Sequence, residues 1–71
     1  MTGRTISQLR LAREAAGLTR RQLAALAQIS SRTLFAIEVE GRYPRPATRL
    51  VLVQALGLPE QHLFEGPEDA A

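Results

Sequence analysis

The apolar positions of this chain recur at helical spacing, in short blocks whose ends are readable. Ile6, Leu9, Ala12 and Ala16 mark one face of a first helix, because residues three or four apart share a side. Thr5 and Gln8 have the spacing of a capping box, in which hydroxyl and amide side chains satisfy the backbone N–H groups orphaned at a helix start. Gly17 stops that helix after Ala16, since glycine takes the left-handed conformation that ends helices. Thr19 and Gln22 repeat the box, and Leu23, Ala24 and Ala27 give a short second helix its apolar face, ending near Gln28. Ser30 is the next cap, Leu34 and Ile37 form the buried side of a third helix, and Gly41 closes it.

The segment Gly41-Arg42-Tyr43-Pro44-Arg45-Pro46 reads as a loop, with Pro46 suited to the first turn of a fourth helix. That helix runs to Leu56 and stops at Gly57; Pro59 opens a last short helix through Phe64, and Gly66-Pro67 ends it. The expected fold is all-α, a compact four- to five-helix unit. The expected division is one helical domain over 1–64 and a flexible acidic tail over 65–71.

Composition narrows the function classes. With 71 residues and no cysteine, the chain has room for one domain and offers neither a disulfide framework nor a thiolate metal site. A domain of this size buries only about 60% of its unfolded surface, so a partner subunit would help it. His62 is the single histidine, which is too few for zinc and offers no base beside a nucleophile; it reads as surface or interface polar. No enzyme, cofactor or metal is expected. The apolar run Leu50–Val53 is far shorter than the roughly 20 residues of a membrane span. The start leads straight into an amphipathic pattern without a signal peptide, so a soluble, cytoplasmic protein is expected.

Charge changes the picture more. Residues 1–56 hold all nine arginines against Glu14, Glu38 and Glu40, a balance of +6; residues 57–71 hold four acids and no arginine or lysine, a balance of −4 with His62 neutral. A basic body with an acidic tail fits a polyanion-binding face kept clear of the tail. Within that body, two short helices (19–27 and 30–39) are joined by a two- to three-residue link without glycine, Gln28-Ile29. This is the bihelical unit that lays its second helix in a major groove. A groove about 12 Å wide admits one helix, so small or polar side chains are needed at its N-terminal end. Ser30, Ser31, Arg32 and Thr33 meet that need.

At these residues the chain resembles the phage repressor/Cro type of helix-turn-helix domain, the XRE family, over residues 6–64. The matching positions, in order, are Leu9, Arg13, Gly17-Leu18-Thr19, Leu23-Ala24, Ile29-Ser30, Thr33-Leu34, Ile37-Glu38, Pro44 and Ala55-Leu56-Gly57-Leu58. The resemblance implies a sequence-specific transcriptional regulator that binds double-stranded DNA. It places Ser31, Arg32 and Ala36 at base edges, and it makes Arg13 and Glu38 an internal ion pair joining the first and third helices. Two departures stand out. The family pattern I-E-x-G is here Ile37-Glu38-Val39-Glu40-Gly41, one residue longer, so the third helix is expected to end a residue later. Arg49 stands where the family usually buries a leucine, so either the fourth helix rotates or Arg49 snorkels its charge to the surface.

The chemistry supports particular roles. Arg32 is the best base reader, because a guanidinium bonds bidentately to guanine O6 and N7. Ser30 and Ser31 suit several bases or a phosphate, and Ala36 a thymine methyl. Phe35 reads equally as a thymine-methyl contact, an interface residue, or a ring packed on a neighbouring stem. Arg20 and Arg21 start the second helix, where free N–H groups and the dipole favour anions; with Arg42, Tyr43 and Arg45 of the loop they are the expected phosphate contacts. A homodimer on a palindromic operator is expected. Leu52, Val53, Leu56 and Leu63 are assigned to the core, and Val51, Leu58 and Phe64 to the dimer interface. The competing reading is a protein-interaction module, antitoxin-like or adaptor, on the same fold.

Overall fold

Ser7, and not Thr5, caps the first helix. In the computed structural model, which describes residues 7–64, Ser7 is extended and its hydroxyl accepts a bond from the Arg10 N–H at 2.9 Å. Gln8 is therefore the first helical residue and not the third, so it cannot reach back to complete a box. Thr5 and Ile6 lie outside the described residues, as does the 65–71 tail. Helix α1 spans Gln8–Ala15, α2 Arg20–Ala27, α3 Ser31–Glu38, α4 Pro46–Leu56 and α5 Glu60–Leu63, with no strand among the described residues.

The other starts follow the sequence reading. Thr19 and Gln22 form a full capping box, with bonds of 3.0 and 2.8 Å, and the Ser30 hydroxyl accepts from the Thr33 N–H at 3.0 Å. The core is one fully buried leucine per helix, Leu9, Leu23, Leu34, Leu52 and Leu63, with Ala24, Ala27, Ile37 and Phe64 around them. The two alanines lie on the buried side of α2, which packs on α3 and α4, while α5 returns against α1 and α4. Val53 and Leu56, assigned to the core, are only half-buried and pack at its edge.

Phe64 is the clearest correction. Expected at a dimer interface, it is only 8% exposed within the single chain. Its ring meets Tyr43 edge-on at 6.4 Å between centroids. Arg49 is the second correction: its side chain is only 19% exposed, and its charge is met within the chain. The guanidinium bonds the Pro44 carbonyl at 2.8 Å and Glu60 Oε2 at 2.7 Å, and it lies 5.0 Å over the Tyr43 ring. A position suited to leucine thus holds a cation because a carbonyl, a carboxylate and an aromatic face all meet it.

The helix ends explain how the turn works without glycine. Gln28 takes the left-handed conformation at φ 61° and ψ 41°, and the Ile29 N–H bonds back to the Ala24 carbonyl at 2.9 Å. A side chain in that region costs roughly 1–2 kcal/mol relative to right-handed backbone. Gln28→Gly is therefore expected to stabilise the domain by about 0.5–1 kcal/mol, after allowing for glycine's larger unfolded-state entropy. Urea unfolding followed by circular dichroism checks this; a lower midpoint would show that the glutamine side chain contributes more than its backbone costs.

The third helix does not gain the extra residue that the longer I-E-x-x-G spacing led us to expect. It ends at Glu38 with Val39 as its cap, and the extra residue sits in the turn. The Arg42 N–H bonds the Ala36 carbonyl across six residues at 3.1 Å, whereas the bonds closing α1 (Leu18 to Arg13) and α2 (Ile29 to Ala24) span five. The wider turn, with Gly41 at φ 76°, sets Glu40 outside the helix.

Candidate nucleic-acid interface

The outward face of α3 is defined by what its inward face buries. Leu34, Ile37 and Glu38 face the core. At about 100° per residue, Arg32 and Ala36 then lie opposite them, with Phe35 and Thr33 on the two flanks. Ser31, Arg32, Thr33 and Phe35 are exposed and Ala36 is half-buried. The centre of the face is therefore one arginine beside one methyl group, a pairing suited to a guanine and a neighbouring thymine.

The side of Thr33 opens onto the loop after α3. A cleft of about 280 Å³ is lined by Arg32, Thr33, Ala36, Glu40 and Arg42. A second, of about 380 Å³, is lined by Thr33, Arg42, Tyr43, Arg45 and Thr48 among others. The two clefts share Thr33 and Arg42, so three arginines and two threonines border a concave edge along α3, and Glu40 is the acid among the lining residues. Such an edge suits the phosphates that flank a groove. Thr48 was not among the expected contacts and Thr33 was noted only as a small polar residue. Their signal was positional: Thr33 flanks the helix face opposite Phe35, and Thr48 stands in the first turn of α4.

Other expected contacts are engaged within the chain. The Ser30 hydroxyl caps α3 and also donates to the Thr33 hydroxyl at 2.9 Å, so its role here is to hold the helix start. Tyr43 lines the larger cleft, but its ring packs against Phe64 and under Arg49. Arg20 turns away from the start of α2: its Nη1 lies 3.6 Å from Glu38 Oε1, and its guanidinium lies 5.2 Å over the Phe35 ring. Arg21, Arg42 and Arg45 are exposed. Val51 and Leu58, expected at a dimer contact, are half-buried, while Leu50 on α4 is 56% exposed.

Behind the face, the helices are tied by charge. Arg13 Nε and Nη2 bond Glu38 Oε2 and Oε1 at 2.8 and 3.0 Å, and Nη1 bonds the Leu18 carbonyl at 2.8 Å. The side-chain exposures are 9% and 0%. The bond to Glu38, with its negative charge, raises the Arg13 pKa above its ordinary value, outweighing burial. Among the described residues no buried side-chain polar atom lacks a partner, so this ion pair meets the condition under which buried charge is tolerated.

The helix-turn-helix domain family matches residues 7–64. Among solved structures, the restriction-modification controller protein C.AhdI from Aeromonas hydrophila is similar, with a TM-score of 0.74 and 30% identity over 80% of this chain and 86% of that one. No curated protein matches the chain in sequence. Among the described residues no helix is long and apolar enough to cross a membrane. The chain belongs to the helix-turn-helix domain family, the DNA-binding class of transcriptional regulators that the repressor/Cro resemblance implied.

Proposed function

We propose that this regulator reads a palindromic operator as a homodimer in the cytoplasm, laying α3 in the major groove, and that it has no catalytic role. The observation that carries the reading is the outward face of α3, where exposed Arg32 and half-buried Ala36 line the arginine-bordered cleft. Arg32 reads guanine, Ala36 touches a thymine methyl, and Ser31 contacts a base or phosphate at the helix start. Arg21, Arg42 and Arg45 hold the backbone. The longest dimension of the domain is 32 Å, close to the roughly 34 Å that separates successive major-groove faces of a duplex. One copy per turn is therefore a natural arrangement. Leu50, with Val51 and Leu58, supplies the apolar surface for the dimer.

Selection from a random DNA pool tests the reading. The expected product is an inverted repeat with half-sites one helical turn apart, and sedimentation equilibrium should give a dimer on it. Arg32→Ala should cost about 1–3 kcal/mol on the best site and relax preference at one base pair per half-site. Loss of affinity spread evenly over all sequences would instead make Arg32 a phosphate contact. Failure to enrich any sequence would favour the protein-interaction module.

A further inference from the structure

Arg20 has a destination that its place in the sequence did not imply. It is the first residue of α2, where a phosphate clamp was expected, yet its guanidinium points along the chain's own surface toward α3. Glu38, whose side chain is fully buried, attracts it from below at 3.6 Å. The Phe35 ring lies beneath it at 5.2 Å. Glu38 is itself fixed by the two-point bond from Arg13, so Arg20 is held by a rigid anchor. The Phe35 ring in turn has one face covered by a cation, while the residue stays 38% exposed.

We propose that Arg20 is a positioning residue and that Phe35 reads the 5-methyl group of a thymine in each half-site. This deepens the DNA-binding reading above and rests on it. Phe35 shares a side of α3 with Ser31, four residues before it, and Arg32, three before it, so its ring stands at the α2 edge of the reading face. A methyl group in the major groove is the one apolar feature a base pair presents there, and an aromatic side chain is an apt partner for it. An unsupported phenylalanine would lie back against the domain to hide its own surface. The guanidinium stack prevents that by occupying the ring face that would otherwise collapse, and it removes one χ freedom that binding would have to freeze. The α3 face thereby carries two methyl readers, Ala36 at the centre and Phe35 at the edge, with Arg32 between them.

The test uses the operator selected by the wild-type chain. Each thymine is replaced singly by deoxyuridine, which removes only the methyl group. In addition to any thymine read by Ala36, one per half-site should weaken wild-type binding about fourfold on this change, the worth of one buried methyl-sized group. The penalty at that thymine should vanish in Phe35→Ala and shrink to less than twofold in Arg20→Ala, while Arg20→Lys, which keeps charge without a planar stack, should recover little of it. The salt dependence of Arg20→Ala should stay within a fraction of one phosphate contact of wild type. A uracil penalty of full size in Arg20→Ala would overturn its positioning role, and a slope lowered by about 0.9 and restored by Arg20→Lys would make it a phosphate clamp instead. No Phe35-dependent penalty at any thymine would overturn the methyl reading while leaving operator binding intact. Wild-type failure to bind any selected DNA would instead remove the function on which the proposal rests. Both side chains are about two-fifths exposed or a little less, so neither variant opens a core cavity; Phe35→Gln gives the same readout should Phe35→Ala not fold.

Discussion

Glu38→Ala is expected to lower the stability of the domain by about 3–5 kcal/mol, the cost of stranding one partner of a buried ion pair. A domain of this size has about 3–9 kcal/mol in total, so the variant should be largely unfolded at moderate temperature. The reason is geometric. Glu38 accepts both bonds from Arg13 with its side chain fully buried, and its loss leaves the Arg13 guanidinium with the Leu18 carbonyl and an exposed Glu14 at 3.9 Å. The two ends of the pair are not equivalent. Arg13→Ala leaves Glu38 with Arg20 already 3.6 Å away, so it should cost visibly less. Arg13→Met with Glu38→Leu removes both charges and should recover most of the loss. Urea midpoints of Arg13→Met, Glu38→Leu and the double variant close the cycle; additive losses would mean that the pair contributes nothing as a pair. The raised pKa of Arg13 also fixes a sign. Its stabilisation is fully present below the unfolded-state pKa and is lost only as pH rises through the folded value, so this group should impart no pH dependence across the neutral range.

Arg42→Ala with Arg45→Ala should leave folding unchanged and cut DNA affinity by about 50- to 100-fold per half-site at 0.1 M salt. Each phosphate contact contributes about 0.9 to the slope of log affinity against log salt, or about eightfold between 1 M and 0.1 M. Both side chains are exposed, and the structural bond at Arg42 comes from its backbone N–H to the Ala36 carbonyl, which alanine keeps. The double variant should therefore lose nearly two units of salt slope per subunit and converge with wild type near 1 M salt. Its order of preference among sequences should not change, because phosphates carry no base identity. An unchanged slope would place the phosphate track elsewhere, with Arg21 the next exposed arginine on this side of the sequence.

The helix boundaries were legible because caps act within four residues. Thr19 with Gln22 and Ser30 needed no tertiary information, since the groups they satisfy are their own neighbours in sequence. The first cap is the exception: Thr5-x-x-Gln8 has the spacing of a full box, yet the cap is Ser7, two residues later. The longer spacing before Gly41 was also visible, but not whether the helix or the turn would absorb it. The bond from Arg42 to Ala36 shows that the turn did.

What the sequence by itself determined was the helical class, the order of elements and most of the leucine core, because periodicity and capping are local properties of the chain. What only the tertiary structure decided was where the long side chains went. Phe64 had the composition of an interface residue until α5 folded back and set it against Tyr43. Arg49 occupied a leucine's place until Pro44, Tyr43 and Glu60 closed around its charge. Arg20 read as a phosphate clamp until Glu38 and Phe35 of another helix offered it a carboxylate and a ring face. A flexible cation settles on the best-placed partners within its reach, and the carboxylates that hold Arg49 and Arg20 stand 11 and 18 residues away along the chain, so only the packing of the helices brings them together.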